Sequence, residues 1–222
     1  MRSATAKQIY KAVAPVGWTA RLEQDFVLLL GSGAVVDAVD SQGQTALLLA
    51  AAVPNLGAAQ KLLQYGADIH KQDSRGRSAL AVAVLASCQA ASSERAAFYS
   101  MAELLLLRGA DADAADGEGC TPLHHAVACT ARMVELIIQH RPDCNSDAAD
   151  NEGGTPLHHA AVRGIKAIAA ALIRSRASLK VSSLKPDTED CQTGCHALLE
   201  LCCYLCDAHL KLAGEDTETY QG

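Results

Sequence analysis

Short apolar stretches separated by polar, glycine-containing segments recur along the chain. Leu123 and Ala126 lie three positions apart, which places them on one face of a helix. A second apolar stretch follows after a few residues and contains Met133, Val134, Leu136, Ile137 and Ile138. This spacing predicts two short helices, each burying one apolar face.

One segment of the chain occurs twice. Thr121-Pro-Leu-His-His-Ala126 returns 34 residues later as Thr155-Pro-Leu-His-His-Ala160, and fainter copies begin at Gly43 and Gly76. An acidic residue stands three positions before the glycine of each copy; these residues are Asp40, Asp73, Asp116 and Asp150. A fixed period of this length indicates one supersecondary unit stacked into a solenoid.

These landmarks resemble the ankyrin repeat, whose motif runs D-x-x-G-x-T-P-L-H-x-A and closes with G-A-D, found here at residues 66–68 and 109–111. The resemblance covers about residues 36–180. It implies an all-α solenoid of helix–turn–helix units with β-turn fingers, in about four clear repeats with degenerate caps at both ends. It also implies that the chain binds other proteins.

We expect residues 1–222 to form a single ankyrin-repeat domain. The predicted units are an N-terminal cap (1–39), four repeats (40–72, 73–115, 116–149 and 150–182), a Cys-rich C-terminal cap (183–213) and a tail (214–222). The second repeat is about ten residues longer than the others. Its extra residues, near Cys88 to Ser100, are Ala-rich without proline or glycine, which predicts longer helices rather than a loop.

Composition and net charge limit the cellular compartment and the classes of partner that we expect. No apolar run reaches the roughly 18–20 residues that span a bilayer, and no signal core follows Met1, so we expect no membrane partner and no secretion. The nine cysteines are then expected to be thiols in a reducing compartment, cytoplasmic or nuclear. The net charge of −6 argues against nucleic acid, and we expect a monomer.

The histidines divide into two pairs. By the resemblance, His124 and His158 occupy the motif position that ties adjacent loops together by hydrogen bonds. His125 and His159 follow at a position that the family varies and presents on its concave face. Equivalent positions in the first two repeats hold Leu49 and Val82. These four side chains predict a partner-binding stripe; the alternative is that they are exposed residues without a role.

The fingers around the third and fourth copies are acidic beyond the needs of the motif. The extra carboxylates belong to Asp113, Glu118, Asp147 and Glu152. We expect them to steer a basic partner, since charged rims raise association rates; the alternative is a solvated face without function. The predicted partner contacts are therefore Leu49, Val82, Glu118, His125, Glu152 and His159.

A metal site is not expected. Equivalent atoms of stacked repeats lie on the order of 10 Å apart, too far for His125 and His159 to share a zinc ion at about 2 Å from each nitrogen. In the Cys-rich C-terminal segment the first candidates for metal ligands are Cys202 and Cys206. One helix face offers two ligands rather than four, so we interpret these cysteines as buried thiols that act as apolar filler.

No motif for catalysis is present: there is no P-loop, dinucleotide fingerprint, H-E-x-x-H or G-x-S-x-G. We therefore expect a non-enzymatic adaptor or scaffold without a cofactor. Two alternatives stay open. One is an assembly chaperone for a subunit of a larger complex, the role of the ankyrin protein gankyrin. The other is a binding protein regulated by redox chemistry or zinc through the C-terminal cysteines.

Overall fold

The computed structural model of the chain describes Val13 and residues 20–174. Residues 20–174 contain nine helices. They are α1 (Ala20–Gly31), α2 (Ala46–Ala52), α3 (Leu56–Gln64), α4 (Ala79–Gln89), α5 (Arg95–Leu107), α6 (Pro122–Val127), α7 (Ala131–His140), α8 (Pro156–Val162) and α9 (Lys166–Arg174). Helix α1 lies in the part of the chain predicted as the N-terminal cap.

The helices after α1 stack in two layers. The first helices of the repeats, α2, α4, α6 and α8, contact one another in order, and the second helices, α3, α5, α7 and α9, do the same. Residues 20–174 contain no strand, only an isolated antiparallel bridge between Gln72 and Ser78. The all-α solenoid with four repeats is confirmed over this part of the chain.

Each first helix begins at a hydroxyl residue. The hydroxyls of Thr45 and Ser78 accept hydrogen bonds from the backbone amides three residues later, at 3.4 and 3.3 Å. Thr121 and Thr155 occupy the same N-cap position, each followed by proline at the first helical position. Proline is suited to this position because the first helical amides have no partner within the helix.

The core consists of equivalent small and medium residues from successive repeats. Two positions after each N-cap stands a leucine that is at most 2% exposed, and five positions after it stands an alanine that is completely buried. The leucines are Leu47, Leu80, Leu123 and Leu157, and the alanines are Ala50, Ala83, Ala126 and Ala160. Side chains this small let neighbouring first helices pack closely, and stacking removes apolar surface that a lone repeat would expose.

The second repeat has longer helices, as its sequence predicts. Helix α4 has 11 residues and α5 has 13, whereas the corresponding helices of the third repeat have 6 and 10. The extra residues therefore extend the helices, and a short turn over residues 90–94 joins them.

The cysteines require a correction. Cys88 and Cys129 form a disulfide, so the prediction that all nine cysteines are thiols is wrong for this pair. The cause is the stacking of extended α4 on α6, which brings their Cα atoms to 4.7 Å, although they are 41 positions apart in sequence. Disulfides are rare in the cytosol, so this one weakens the inference of a reducing compartment. Cys120 and Cys144 are free thiols.

The predicted caps lie mostly outside the described residues. This applies to residues 1–19 of the N-terminal cap except Val13, to the Cys-rich segment 183–213 with Cys202 and Cys206, and to the tail 214–222. Among the described helices, none has the length and apolar character needed to cross a membrane.

Candidate functional site: the finger face of the third and fourth repeats

An aspartate shapes the turn that precedes each first helix. Oδ1 of each aspartate accepts hydrogen bonds from the backbone amides two and four residues later, at 2.8 to 3.0 Å. The pairs of amides belong to Gln42 and Gln44 for Asp40, Arg75 and Arg77 for Asp73, Glu118 and Cys120 for Asp116, and Glu152 and Gly154 for Asp150. These four turns are the fingers. The aspartates hold them rigid by replacing backbone partners with side-chain oxygens.

Neighbouring fingers are joined at their tips. The amide of Ser74 donates to the carbonyl of Gln42 at 3.2 Å, and the amide of Gly117 donates to the carbonyl of Arg75 at 2.8 Å. The amide of Asn151 donates to the carbonyl of Glu118 at 3.0 Å. The four fingers therefore form one connected row. Together with the exposed sides of the first helices, this row makes up a surface that we call the finger face.

His125 and His159 both turn back to the aspartate of their own finger. Nε2 of His125 lies 2.8 Å from Oδ2 of Asp116, and Nε2 of His159 lies 2.7 Å from Oδ2 of Asp150. Both histidines lie on the face predicted from the sequence, but their pairing with the aspartates was not predicted. The available signal is the nine-residue spacing from aspartate to histidine, which only the third and fourth repeats contain.

The aspartates of two fingers are held in the charged form. Burial alone would raise the pKa of Asp150, but the hydrogen bond with His159 and the backbone amides of Gly154 and Glu152 lower it overall. In the second repeat, burial acts in the same direction on the pKa of Asp73, and the bonds from Arg77 and Arg75 lower it overall. Both carboxylates therefore remain ionised at neutral pH.

His124 links the third repeat to the fourth finger. Its Nδ1 accepts the amide hydrogen of Thr121 at 3.1 Å, which places the ring hydrogen on Nε2. Nε2 then donates to the carbonyl of Gly154 at 3.1 Å. Burial lowers the pKa of His124, so the ring is neutral, although the bond to Gly154 opposes this shift. The role that the resemblance implies is confirmed for His124.

His158 repeats the local half of this arrangement. Its Nδ1 accepts the amide hydrogen of Thr155 at 3.2 Å, and burial lowers its pKa. Its buried Nε2 has no hydrogen-bond partner among the described residues. The tie from one repeat to the next is therefore seen at His124 but not at His158.

A pocket of about 150 Å³ opens on the finger face between the third and fourth repeats. Its lining consists of Cys120, His124, His125, Val127, Ala128, His159 and Arg163. A volume of about this size holds a benzene-sized group. Burial raises the pKa of the Cys120 thiol to about 11, and the charges of Asp116 and Asp150 add to the shift. The thiol is therefore protonated and serves as a weakly polar wall of the pocket.

The family models match where the fingers and helix pairs recur. Residues 87–183 match the model described as ankyrin repeats (3 copies), and residues 42–74 match the model of a single ankyrin repeat. The chain belongs to the ankyrin repeat family.

Curated ankyrin proteins are similar to most of the chain. It is 35% identical over 167 residues to the B-cell lymphoma 3 protein homolog of Mus musculus, and 34% identical over 172 residues to neurogenic locus notch homolog protein 1 of Xenopus laevis. These matches cover 72% and 77% of this chain but only 35% and 6% of the relatives. The chain therefore spans about a third of the first relative's length and a small part of the second's.

One group of side chains on the finger face has the composition of a metal site. Ligand atoms of His124, Asp150 and His159 all lie within 4.8 Å of one another. Both ring nitrogens of His124 are engaged in the hydrogen bonds described above, and Asp150 accepts bonds from His159 and from two backbone amides. A metal would displace bonds that hold the finger and the repeat interface. We therefore interpret the group as a structural network; its members differ from the His125–His159 pair that was rejected as a zinc site on sequence grounds.

The other predicted contact residues differ in how much of their side chain is exposed on the finger face. Glu118 and Glu152 are exposed and Leu49 is half-buried. Val82 is only 7% exposed and belongs to the core, so it offers almost no surface to a partner. Asp113 was expected to be spare charge, but its Oδ1 accepts the amide hydrogen of Asn145 at 2.8 Å and so joins two repeats.

Proposed function

We propose that this ankyrin-repeat chain binds another protein on its finger face and acts as a non-enzymatic adaptor or scaffold. The proposed contact surface is centred on the third and fourth repeats and consists of Glu118, His125, Glu152 and His159, with Leu49 at its edge. Val82 is left out because it is buried. The location, cytoplasmic or nuclear, and the monomeric state stay predictions.

The observation that carries this proposal is the repeated His–Asp pair beside the pocket. Side-chain carboxylates at 2.7 and 2.8 Å hold the two imidazole rings in place on stacked, mutually bonded repeats. A rigid surface loses little side-chain freedom on binding, so more of the contact energy contributes to affinity. Ring edges, pocket wall and exposed glutamates together suit the insertion of one partner side chain surrounded by polar contacts.

The two exposed glutamates should also affect the rate at which the partner associates. Glu118 and Glu152 lie on adjacent fingers, and charges of one sign on a rim accelerate association with a partner of the opposite sign. We infer that the partner presents basic groups to these fingers. Added salt should then reduce the association rate, and this dependence should weaken in the Glu118→Lys/Glu152→Lys variant because screening acts on exposed charges.

The test is affinity capture from native cells followed by mass spectrometry. It compares wild type with a variant carrying Glu118→Lys, His125→Ala, Glu152→Lys and His159→Ala. A matched control carries Glu94→Lys and Glu135→Lys; both glutamates are exposed, Glu94 at the N-cap of α5 and Glu135 within α7. Circular dichroism and thermal melting establish that all forms are folded.

A protein that wild type and the control retain and the four-site variant loses supports the proposal. A protein that all three forms retain equally contradicts the site, because the contact would then lie away from His125 and His159. Purified partner and isothermal titration calorimetry then give the affinity change for each residue separately.

A further inference from the structure

The tips of the four fingers carry an ordered series of side chains. The residue two positions after the finger aspartate is Gln42, Arg75, Glu118 and Glu152 in successive repeats. The tip-to-tip backbone bonds described above fix the order in space as well as in sequence. Along the row the tips are therefore neutral, positive, negative and negative.

The positive tip borders its own polar pocket. A pocket of about 330 Å³ is lined by Gln42, Gln44, Asp73, Ser74, Arg75 and Arg77. Nη2 and Nε of Arg77 bind Oδ2 of Asp73 at 2.6 and 2.8 Å, so these two charges neutralise each other. Arg75 is exposed and forms no ion pair with any residue in the described part of the chain. Its guanidinium is thus the cationic group that the pocket presents, and carboxylates are the planar partners that a guanidinium binds best.

The negative tips are also unpaired. Within residues 20–174, neither Glu118 nor Glu152 forms an ion pair, and both are exposed. The aspartates beneath them, Asp116 and Asp150, are occupied by the turn amides and by His125 and His159. The tip glutamates therefore carry the charge that a partner meets at this end of the row.

We propose that the finger tips bind a segment of the partner with one acidic and two basic side chains in that order. The acidic side chain lies in the Arg75 pocket, and the basic side chains lie opposite Glu118 and Glu152. This inference rests on the proposed function, since it describes the chemistry of the same partner. Packed helices lie about 8–10 Å apart, and an extended chain advances about 10 Å in three residues, so the three charges are spaced about three residues apart.

The test uses synthetic fluorescent peptides with Gly/Ser spacers, each with one Asp and two Lys at intervals of three residues. Their charge orders are Asp-Lys-Lys, Lys-Lys-Asp and Lys-Asp-Lys. Composition and net charge are identical, so general attraction to a chain of net charge −6 contributes equally to all three. The first two orders are mirror images, and one of them matches the row in the direction in which the peptide runs.

We expect either Asp-Lys-Lys or Lys-Lys-Asp, whichever matches the row, to bind wild type about three- to tenfold tighter than Lys-Asp-Lys, as judged by fluorescence anisotropy at low salt. Arg75→Glu should abolish this preference. Arg108→Glu, an exposed arginine at the end of α5, should preserve it. The triple variant Arg75→Glu/Glu118→Lys/Glu152→Lys should instead prefer the matching order of a peptide series with one Lys and two Asp.

Equal binding of all three peptides to wild type would overturn the charge order. If the four-site variant still loses the captured protein, the proposed function stands and only this inference fails. If the peptides show the preferred order but the four-site variant still retains the captured protein, the proposed site fails and the binding of charged peptides to the finger tips stands.

Discussion

Cys88 and Cys129 form a disulfide that joins the end of α4 to the residue after the C-cap of α6. It cross-links the second and third repeats in addition to the backbone that joins them. Stacked repeats otherwise depend on contacts between neighbours, so a link at one interface acts on the stability of both repeats that share it. The sulfurs lie close to the backbone of the pocket wall, with Cys88 Sγ at 4.0 Å from the carbonyl oxygen of His125.

Reduction of this disulfide should destabilise the chain by roughly 4 kcal/mol. The two cysteines are 41 positions apart, and loop-closure estimates run from about 3 to about 4.7 kcal/mol for loops of about 15 to 100 residues. Urea unfolding of wild type with and without dithiothreitol measures the effect. Cys88→Ser/Cys129→Ser should match reduced wild type, whereas Cys120→Ser should still respond to reductant. Identical unfolding midpoints for oxidised and reduced wild type would contradict the prediction.

His124→Ala should lower the free energy of unfolding by about 2–3 kcal/mol. It removes the bonds to the Thr121 amide and to the Gly154 carbonyl, and a buried polar group left unsatisfied costs about 1–3 kcal/mol. His158→Ala is the matched comparison, because among the described residues its Nε2 has no partner to lose. Chemical unfolding of the two variants should therefore show the larger loss for His124→Ala; equal losses would count against the inter-repeat bond.

Stability should fall as the pH falls below about 6.5. Burial lowers the pKa of both His124 and His158 from the ordinary value of 6.5. The unfolded chain then binds more protons than the folded chain below that pH, so protonation favours unfolding. This contribution is complete above about pH 6.5 and is lost as the pH falls towards the folded-state pKa values. The window lies above that of Asp73 and Asp150, whose stabilisation is lost only below their ordinary pKa of 3.8.

Thermal melts at intervals between pH 7.5 and pH 5 measure this dependence. The variant His124→Gln/His158→Gln should have a flatter profile than wild type. His70→Gln, at an exposed histidine, should keep the wild-type profile. A wild-type melting temperature that rises as the pH falls through this range would refute the prediction.

The repeated motif allowed the helix pairs and the finger aspartates to be predicted, because each depends on residues within one repeat. The motif also predicted the tie from His124 to the fourth finger, but two other pairings between repeats escaped prediction. Cys88 and Cys129 meet only because α4 is long enough to reach α6, and Asp113 reaches Asn145 across an interface. Val82 aligns with His125 in the motif but is buried. The alignment gives a residue's position on the helix and does not show which neighbouring side chains cover it.

Cys120 should be slow to react with iodoacetamide although it lines an open pocket. The thiolate is the nucleophile, and burial with nearby carboxylates raises the thiol pKa from 9.0 to about 11. That shift reduces the thiolate fraction at neutral pH roughly 100-fold. Peptide mapping by mass spectrometry gives the alkylation rate in the native chain and in urea. Equal rates in the two states would mean that the folded surroundings do not suppress the thiolate.

Gly119→Ala should destabilise the chain more than Gly66→Ala. Both glycines have positive φ, +78° and +84°, so both variants incur the roughly 1–2 kcal/mol that an L-residue loses in this conformation. A Cβ at Gly119 would also lie 2.8 Å from the backbone nitrogen of Asn151, whereas one at Gly66 would meet nothing within 4 Å. Overpacking of this kind adds about 1–3 kcal/mol.

The clash involves the nitrogen that donates to the Glu118 carbonyl, so Gly119→Ala should also loosen the joint between the third and fourth finger tips. Hydrogen exchange at the Asn151 amide should therefore speed up in Gly119→Ala and stay at the wild-type rate in Gly66→Ala. Urea unfolding supplies the stability difference between the two variants. Equal destabilisation with unchanged exchange at Asn151 would show that the tip joint tolerates the extra methyl group, and the row of finger tips would then be less rigid than its hydrogen bonds indicate.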